Sequence, residues 1–125
     1  MSKQVNTADE QDEIQHMDYI YMVNDDKLMI RMNAELDHHL AEEMRQVIDD
    51  VIDKRGVTHI VFDFTKVDFM DSAGIGMLLG RYKVIKMLGG QLELMNVNKQ
   101  VEKVFEISGI LKIIPLIKNN EENVG

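Results

Sequence analysis

"FMDSAGIGMLLGRYKVI", residues 69–85, joins an acidic turn, a serine and three glycines to an apolar periodicity. Its apolar residues recur at intervals of three and four, which predicts an amphipathic helix: Ile75, Leu78, Leu79, Tyr82 and Ile85. The apolar run "HIVFDF", residues 59–64, precedes it and is typical of a central strand covered on both faces. A strand followed by a helix predicts an α/β fold and places Ser72 at the start of that helix.

The segments before this stretch predict a hairpin and a first helix. Residues 18–24 and 27–34 alternate between apolar and polar side chains on either side of an Asp-Asp pair, as two antiparallel strands do. Residues 35–56 have helical spacing, with Asp37 as N-cap, a basic last turn and a closing glycine. Glu42, Glu43, Asp49, Asp50 and Asp53 are expected on the solvated face of this helix.

The segments after it complete the pattern. The pair Gly89-Gly90 ends the second helix, residues 91–97 predict a strand, and residues 98–109 predict a third, shorter helix. Residues 112–117 predict a last strand, which Pro115 places at an edge because proline cannot donate to a ladder. The predicted order is β-β-α-β-α-β-α-β, a mixed four- to five-stranded sheet with the helices packed on one side.

The segment boundaries predict one domain. Residues 1–16 are polar, acidic and without periodicity, so we expect a flexible tail. Residues 17–118 hold all the periodic segments and form the expected domain, and residues 119–125 are expected to fray.

Composition limits the classes of function. The chain has 125 residues, a net charge of −8 and no cysteine, which excludes disulfides, thiolate metal sites and cysteine nucleophiles. An acidic chain repels a phosphate backbone, so nucleic acid is not an expected partner. No segment predicts a signal peptide or a membrane span, and we expect a cytoplasmic protein that does not bind membranes.

Ser72 has several interpretations from its neighbours alone. Either Ser72 or Asp71 can cap the helix. A nucleophile elbow needs G-x-S-x-G, and Met70 stands at the first glycine position. The glycines fit neither a phosphate-binding Walker loop nor a dinucleotide fingerprint. We expect Gly74 and Gly76 to let the first turn approach another backbone, and Gly80 to allow tight helix packing.

The remaining candidate residues predict no metal site. His38 and His39 are adjacent, so on a helix they point about 100° apart and do not converge on one ion. His16 and His59 have no partner at useful spacing. Met77 falls off the apolar stripe of the second helix and is expected to be exposed, as part of an adaptable contact surface.

Three segments together resemble a known family. "ELDHHLAEEM", "FMDSAGIGMLLGRYKVIK" and "ISGILKII" are similar, in unbroken order over roughly residues 18–117, to the bacterial anti-sigma factor antagonists of the STAS fold, above all to those of the sporulation anti-sigma F system. The resemblance implies a non-enzymatic switch. The unphosphorylated antagonist binds an anti-sigma factor and releases a sigma factor, the anti-sigma factor acts as a kinase on the serine, and a serine phosphatase restores it.

The resemblance also assigns residues. The phosphoacceptor is Ser72, no cofactor or metal is implied, and the partner-binding residues are expected to be Asp37, Asp71, Ser72, Ala73, Gly74, Gly76, Met77 and Arg81. Two further readings stay open: a STAS subunit of a stress-signalling assembly, and a small serine hydrolase that uses Ser72.

The chain departs from the family pattern at three places. Ala34 replaces a common glycine before the first helix, and Ala73 replaces a hydroxyl residue that often follows the serine. Little sequence is left after Ile117 for the fourth helix that is usual in the fold.

Overall fold

The fold is a six-stranded mixed sheet with three helices, seen in a computed structural model that describes residues 13–117. In chain order the elements are β1 (Glu13–Gln15), β2 (Tyr19–Asn24), β3 (Lys27–Met32), α1 (His38–Arg55), β4 (His59–Asp63), α2 (Ser72–Met87), β5 (Gln91–Met95), α3 (Lys99–Ser108) and β6 (Leu116–Ile117). The strands lie side by side in sequence order, so each neighbour in the chain is also a neighbour in the sheet.

The sheet changes from antiparallel to parallel at β3. β1, β2 and β3 pair antiparallel through short turns, whereas β3, β4, β5 and β6 are parallel. Parallel neighbours need a crossover, and the helices provide it. Because the carboxyl ends of β3 and β4 lie at the same edge, the loops that lead into α1 and α2 begin side by side.

One face of the sheet carries the core. Leu28 and Ile30 of β3 and Leu92 and Leu94 of β5 are fully or almost fully buried, and they share one hydrophobic cluster with residues from all three helices. The residues that alternate with them, such as Met29, Arg31 and Glu93, are only partly buried. The helices therefore cover one side of the sheet, as the sequence predicts. No helix among residues 13–117 has both the length and the apolar character of a membrane span.

Two expectations about the sheet are corrected. The sequence predicts four to five strands, but Glu13–Gln15, assigned to the flexible tail, pair with Ile20–Met22 as a sixth strand. This strand is too short to show an alternation in the sequence. The predicted last strand over residues 112–117 is reduced to Leu116–Ile117 at the sheet edge, because Ile110–Lys112 form a 3-10 turn instead. Residues 1–12 and 118–125 lie outside the described residues, and with them the expectations about the tail before Glu13, the fraying of residues 119–125 and the family's fourth helix.

The double glycine after α2 has a steric cause. Gly89 has a φ of +78°, which side chains rarely adopt, and a Cβ at Gly90 would lie 1.7 Å from the carbonyl oxygen of Thr58. The chain therefore needs glycine here to pass from α2 under the start of β4 into β5.

Candidate partner-binding surface at the start of the second helix

The loops that lead into α1 and α2 are joined by a short parallel bridge. Leu36 pairs with Met70, where the Leu36 amide donates to the Phe69 carbonyl at 2.9 Å and the Asp71 amide donates to the Leu36 carbonyl at 3.3 Å. Both Leu36 and Met70 are buried, so the bridge is anchored in the core. It brings the first turns of the two helices next to each other, with Asp37 and Asp71 as their caps.

Asp71, and not Ser72, is the cap of α2. The Asp71 carboxylate accepts a hydrogen bond from the Ala73 amide at 2.8 Å, and Asp37 does the same for the Leu40 amide at 3.0 Å at the start of α1. Ser72 is the first helical residue, is exposed, and its hydroxyl makes no hydrogen bond to any residue in the described range 13–117. The sequence left the choice of cap open, and the structure resolves it in favour of Asp71.

The three glycines of α2 differ in their surroundings. A Cβ at Gly74 would lie 2.6 Å from Cγ of Met70 and 3.1 Å from Cδ2 of Leu36, so Gly74 is closely packed, but against side chains and not against the expected backbone. A Cβ at Gly76 or Gly80 would meet no atom within 4 Å. The expectations of a close backbone approach at Gly76 and of tight packing at Gly80 are therefore wrong, and Gly76 is exposed.

Met77 is buried, against the expectation of an exposed contact residue. Its side chain is 5% exposed and belongs to the core. The sequence analysis assumed a single apolar stripe on α2, but the helix has two contact faces. Leu78 and Ile85 join the core cluster next to the sheet, while Met77 and Arg81 line a cleft with residues of α1. Met77 can therefore affect a contact surface only indirectly, by packing beneath the exposed residues of α2.

Arg81 is the only buried charged residue among residues 13–117. Its side chain is 9% exposed. Its Nε atom lies 2.9 Å from Oδ1 of Asp49 on α1, but the N–H direction is too bent for a hydrogen bond, and Nη1 has no partner either. Burial lowers the pKa of the Arg81 guanidinium, which the Asp49 carboxylate partly opposes. Asp49 was expected on the solvated face of α1; its side chain is 39% exposed, and it also contacts α2 through Arg81.

A cavity of about 150 Å³ separates the first halves of α1 and α2. Its walls are His38, Ala41, Glu42 and Arg45 from α1 and Ala73, Gly76, Met77 and Arg81 from α2. Glu42 already accepts hydrogen bonds from Arg45 at 2.6 Å and Gln46 at 3.1 Å, which lower its pKa to about 2. The Glu42 carboxylate is thus charged and engaged within α1.

The structure brings the expected site residues together on α2 and at the adjacent start of α1, but Gly74, Met77 and Arg81 are buried there. Seven of them belong to α2 or its cap, and the bridge places Asp37 at the adjacent helix start. His38, Arg45 and Asp49 also lie next to these residues, which the sequence does not predict. Their contribution depends on how α1 crosses α2, which no local pattern encodes. No group of three or more metal-binding side chains converges within residues 13–117.

Comparisons with known proteins agree on one family. The family model of the STAS domain matches residues 19–123. The anti-sigma F factor antagonist of Paenibacillus polymyxa is 40% identical over 92 residues, which cover 74% of this chain and 79% of that protein.

Two solved structures are similar in both fold and sequence. The anti-sigma factor antagonist SpoIIAA in its unphosphorylated form superimposes with a TM-score of 0.66 at 33% identity, covering 82% of this chain and 89% of that chain. The Bacillus cell fate determinant SpoIIAA in the phosphorylated form gives a TM-score of 0.64 at 35% identity, covering 81% and 91%. By the matched profile, by identity with these relatives and by its fold, the chain belongs to the STAS domain family.

Proposed function

We propose that this protein is an anti-sigma factor antagonist that binds an anti-sigma factor through the start of α2 and is switched off by phosphorylation of Ser72. The observation that carries the proposal is the exposed Ser72 hydroxyl, which is free of hydrogen bonds because Asp71 provides the cap. Relatives named as anti-sigma factor antagonists support it, as does the existence of a related SpoIIAA in unphosphorylated and phosphorylated forms.

The position of Ser72 suits a switch that leaves the fold intact. A phosphoserine adds about −1.5 to −2 charges. At a helix N-terminus the free amides and the macrodipole stabilise such a charge by about 0.3–1 kcal/mol. Phosphorylation should therefore act on the complex and not on the domain, because the dianion would be buried next to Asp71 in a surface fitted to a neutral hydroxyl.

The proposed partners follow from this role. The anti-sigma factor serves as the serine kinase, and a serine phosphatase restores the binding form in the cytoplasm. The contact surface comprises Asp37, Asp71, Ser72, Ala73, Gly74, Gly76, Met77 and Arg81, of which Met77 and Gly74 support the surface from the interior. The domain itself needs no enzymatic activity and no metal or cofactor for this function.

The test compares Ser72→Ala with Ser72→Asp. The free energies of unfolding of both variants, measured by thermal melts, should lie within about 0.5 kcal/mol of that of the original protein, since the Ser72 hydroxyl has no structural partner. Ser72→Ala should bind the anti-sigma factor normally in a titration with nucleotide present. Ser72→Asp should bind at least about tenfold more weakly because it places a charge in the contact.

Asn24→Asp is the matched control for added charge. Asn24 ends β2 next to the start of β3, and is exposed. It therefore lies at the end of the sheet where β4 begins, whereas the loop that leads to Ser72 follows the end of β4. The Asn24→Asp variant should bind normally. Equal affinities of Ser72→Ala and Ser72→Asp for the anti-sigma factor would contradict the proposed function, whatever the melting temperatures are.

A further inference from the structure

The cleft between α1 and α2 contains the buried guanidinium of Arg81, and two of its three nitrogens have no hydrogen-bond partner among residues 13–117. Nε and Nη1 of Arg81 have no hydrogen-bond partner in the described residues, although the side chain is only 9% exposed. Buried polar groups are nearly always paired, and an unpaired guanidinium N–H is more costly than a neutral one. Nε has an ionic contact with Asp49 at 2.9 Å, but Nη1 has no acceptor within the described chain, and an unpaired buried donor next to a cavity indicates a site for an acceptor from outside the domain.

The acidic side chains near Arg81 do not satisfy it. Asp49 makes a close but bent contact with Nε and also lies 3.7 Å from Arg45. Glu42, the acidic residue in the cavity wall, is held by Arg45 and Gln46 on its own helix. The Nη1 end of the guanidinium therefore lacks an acceptor from within the domain.

The cavity also has an open approach from the outside. Gly76 forms part of its wall, and a side chain there would meet no atom within 4 Å. Ala41 and Ala73 are the other small residues of the wall, and Ala73 lies one position after Ser72. With a volume of about 150 Å³ the cavity is large enough for a carboxyl group and its methylene stem, but not for a nucleotide.

We propose that this cleft receives an aspartate or glutamate side chain of the anti-sigma factor, whose carboxylate pairs with the Arg81 guanidinium. The inference rests on the proposed function and adds the chemistry of the partner residue to it. Arginine suits the role because its planar fork can offer two parallel N–H groups to a carboxylate. Because Nη1 is buried in this structure, the pairing requires the guanidinium to turn toward the cavity when the partner binds. The pair is then shielded by Ala73 and Gly76, within about a turn of Ser72.

The main test is Arg81→Met, which keeps the length of the stem and removes the charge. The variant also loses the ion pair with Asp49, whose carboxylate is 39% exposed and stays hydrated, so it should remain folded with a melting temperature within a few degrees of that of the original protein. Its affinity for the anti-sigma factor should fall about 30-fold or more, since the partner's carboxylate is left buried without a cation. Arg81→Lys keeps the charge but not the fork, and should bind with an intermediate affinity.

Lys83→Met is the matched control. It removes the same charge from the same helix, but Lys83 is exposed and lies outside the cavity wall. We expect unchanged binding. A loss equal to that of Arg81→Met would mean that general charge attraction, and not a specific pair, causes the effect, and would overturn the inference.

The partner's residue can be identified with a double-mutant cycle. Acidic residues of the anti-sigma factor are changed to alanine one at a time and titrated against the original protein and Arg81→Met. One of these variants should weaken binding to the original protein and cause no further loss with Arg81→Met. If every acidic residue acts additively with Arg81→Met, or if Arg81→Met binds normally, the inference is wrong.

A measurement with inorganic phosphate distinguishes a site for a carboxylate of the partner protein from a site for a free anion. If the cleft is a site for a small anion, millimolar phosphate should raise the melting temperature of the original protein but not of Arg81→Met, while both bind the anti-sigma factor equally. That result overturns the inference.

Ser72→Asp is measured in the same series: if it loses binding while Arg81→Met does not, the proposed function stands and only the carboxylate site fails.

Discussion

Asp71 and Ser72 divide two tasks between adjacent residues. The Asp71 carboxylate caps α2 through the Ala73 amide, and the Ser72 hydroxyl remains without a structural role. Modification of the Ser72 hydroxyl would therefore leave the capping hydrogen bond of Asp71 in place. The sequence identified the position but not the division, because Ser and Asp are about equally good caps and only the backbone conformation decides between neighbours.

At the residue scale we predict that Asp37 contributes charge to the interface in addition to its cap. Asp37→Asn keeps a good cap and should retain nearly all the stability, while Asp37→Ala should lose about 1 kcal/mol. Both variants should bind the anti-sigma factor more weakly, as measured by titration next to thermal melts. Normal binding by Asp37→Asn would show that its charge lies outside the contact.

At the scale of the element, α2 behaves as a helix with two packed sides. The sequence analysis located the stripe that joins the core at Leu78 and Ile85 correctly, but it judged Met77 exposed and Gly80 closely packed, and both are wrong. Periodicity detects the wider apolar face and cannot show a second contact, which depends on where α1 lies. For the same reason the sequence placed Asp49 in solvent, although it reaches Arg81.

For α2 we predict opposite effects of one methyl group on stability and binding. Gly76 is an exposed helical glycine with free space around it, so Gly76→Ala should raise the free energy of unfolding by about 0.5–1 kcal/mol. The same methyl group should weaken binding of the anti-sigma factor roughly tenfold, because it holds the partner away from the helix.

Gly80→Ala provides the comparison on the same helix. A Cβ there also meets no atom within 4 Å, so the gain in stability should be similar, but Gly80 is not part of the proposed contact surface. Melts and titrations of both variants are needed. If Gly76→Ala binds as tightly as Gly80→Ala, no partner approaches the start of α2 closely.

At the scale of the whole molecule, the order of helices and strands was predictable because long periodic segments carry a strong signal. The class, the three helices and five of the six strand locations follow from the sequence. The short strand β1 did not, because its three residues pair only in the presence of β2. The bridge between Leu36 and Met70, which assembles the site, likewise depends on pairing between segments that are distant in the chain.

For the whole domain we predict that phosphorylation changes one residue and leaves the fold intact. The kinase should add a single phosphoryl group to Ser72, because Ala73 offers no neighbouring hydroxyl, and fragment mass spectra can locate it. The melting temperature should change by a few degrees at most, about 4–8 °C per kcal/mol for a domain near this size. Amide NMR shifts should change mainly around the start of α2 and the Leu36–Met70 bridge.

Two results would contradict this prediction. A second site of equal occupancy, for instance Thr65, would show that the kinase does not select the start of α2. Loss of shift dispersion across the sheet would show that the charge acts by unfolding the domain.

The short edge strands of the sheet have a consequence for solubility. In the described part of the chain, β1 has three residues and β6 has two, directly after Pro115. Long unpaired strands recruit further chains and start aggregation, and brief edges offer them little to pair with. An antagonist that works by occupying its target, and not by turnover, must be as abundant as that target. Blunt edges let such a protein accumulate in a crowded cell without assembling into fibrils.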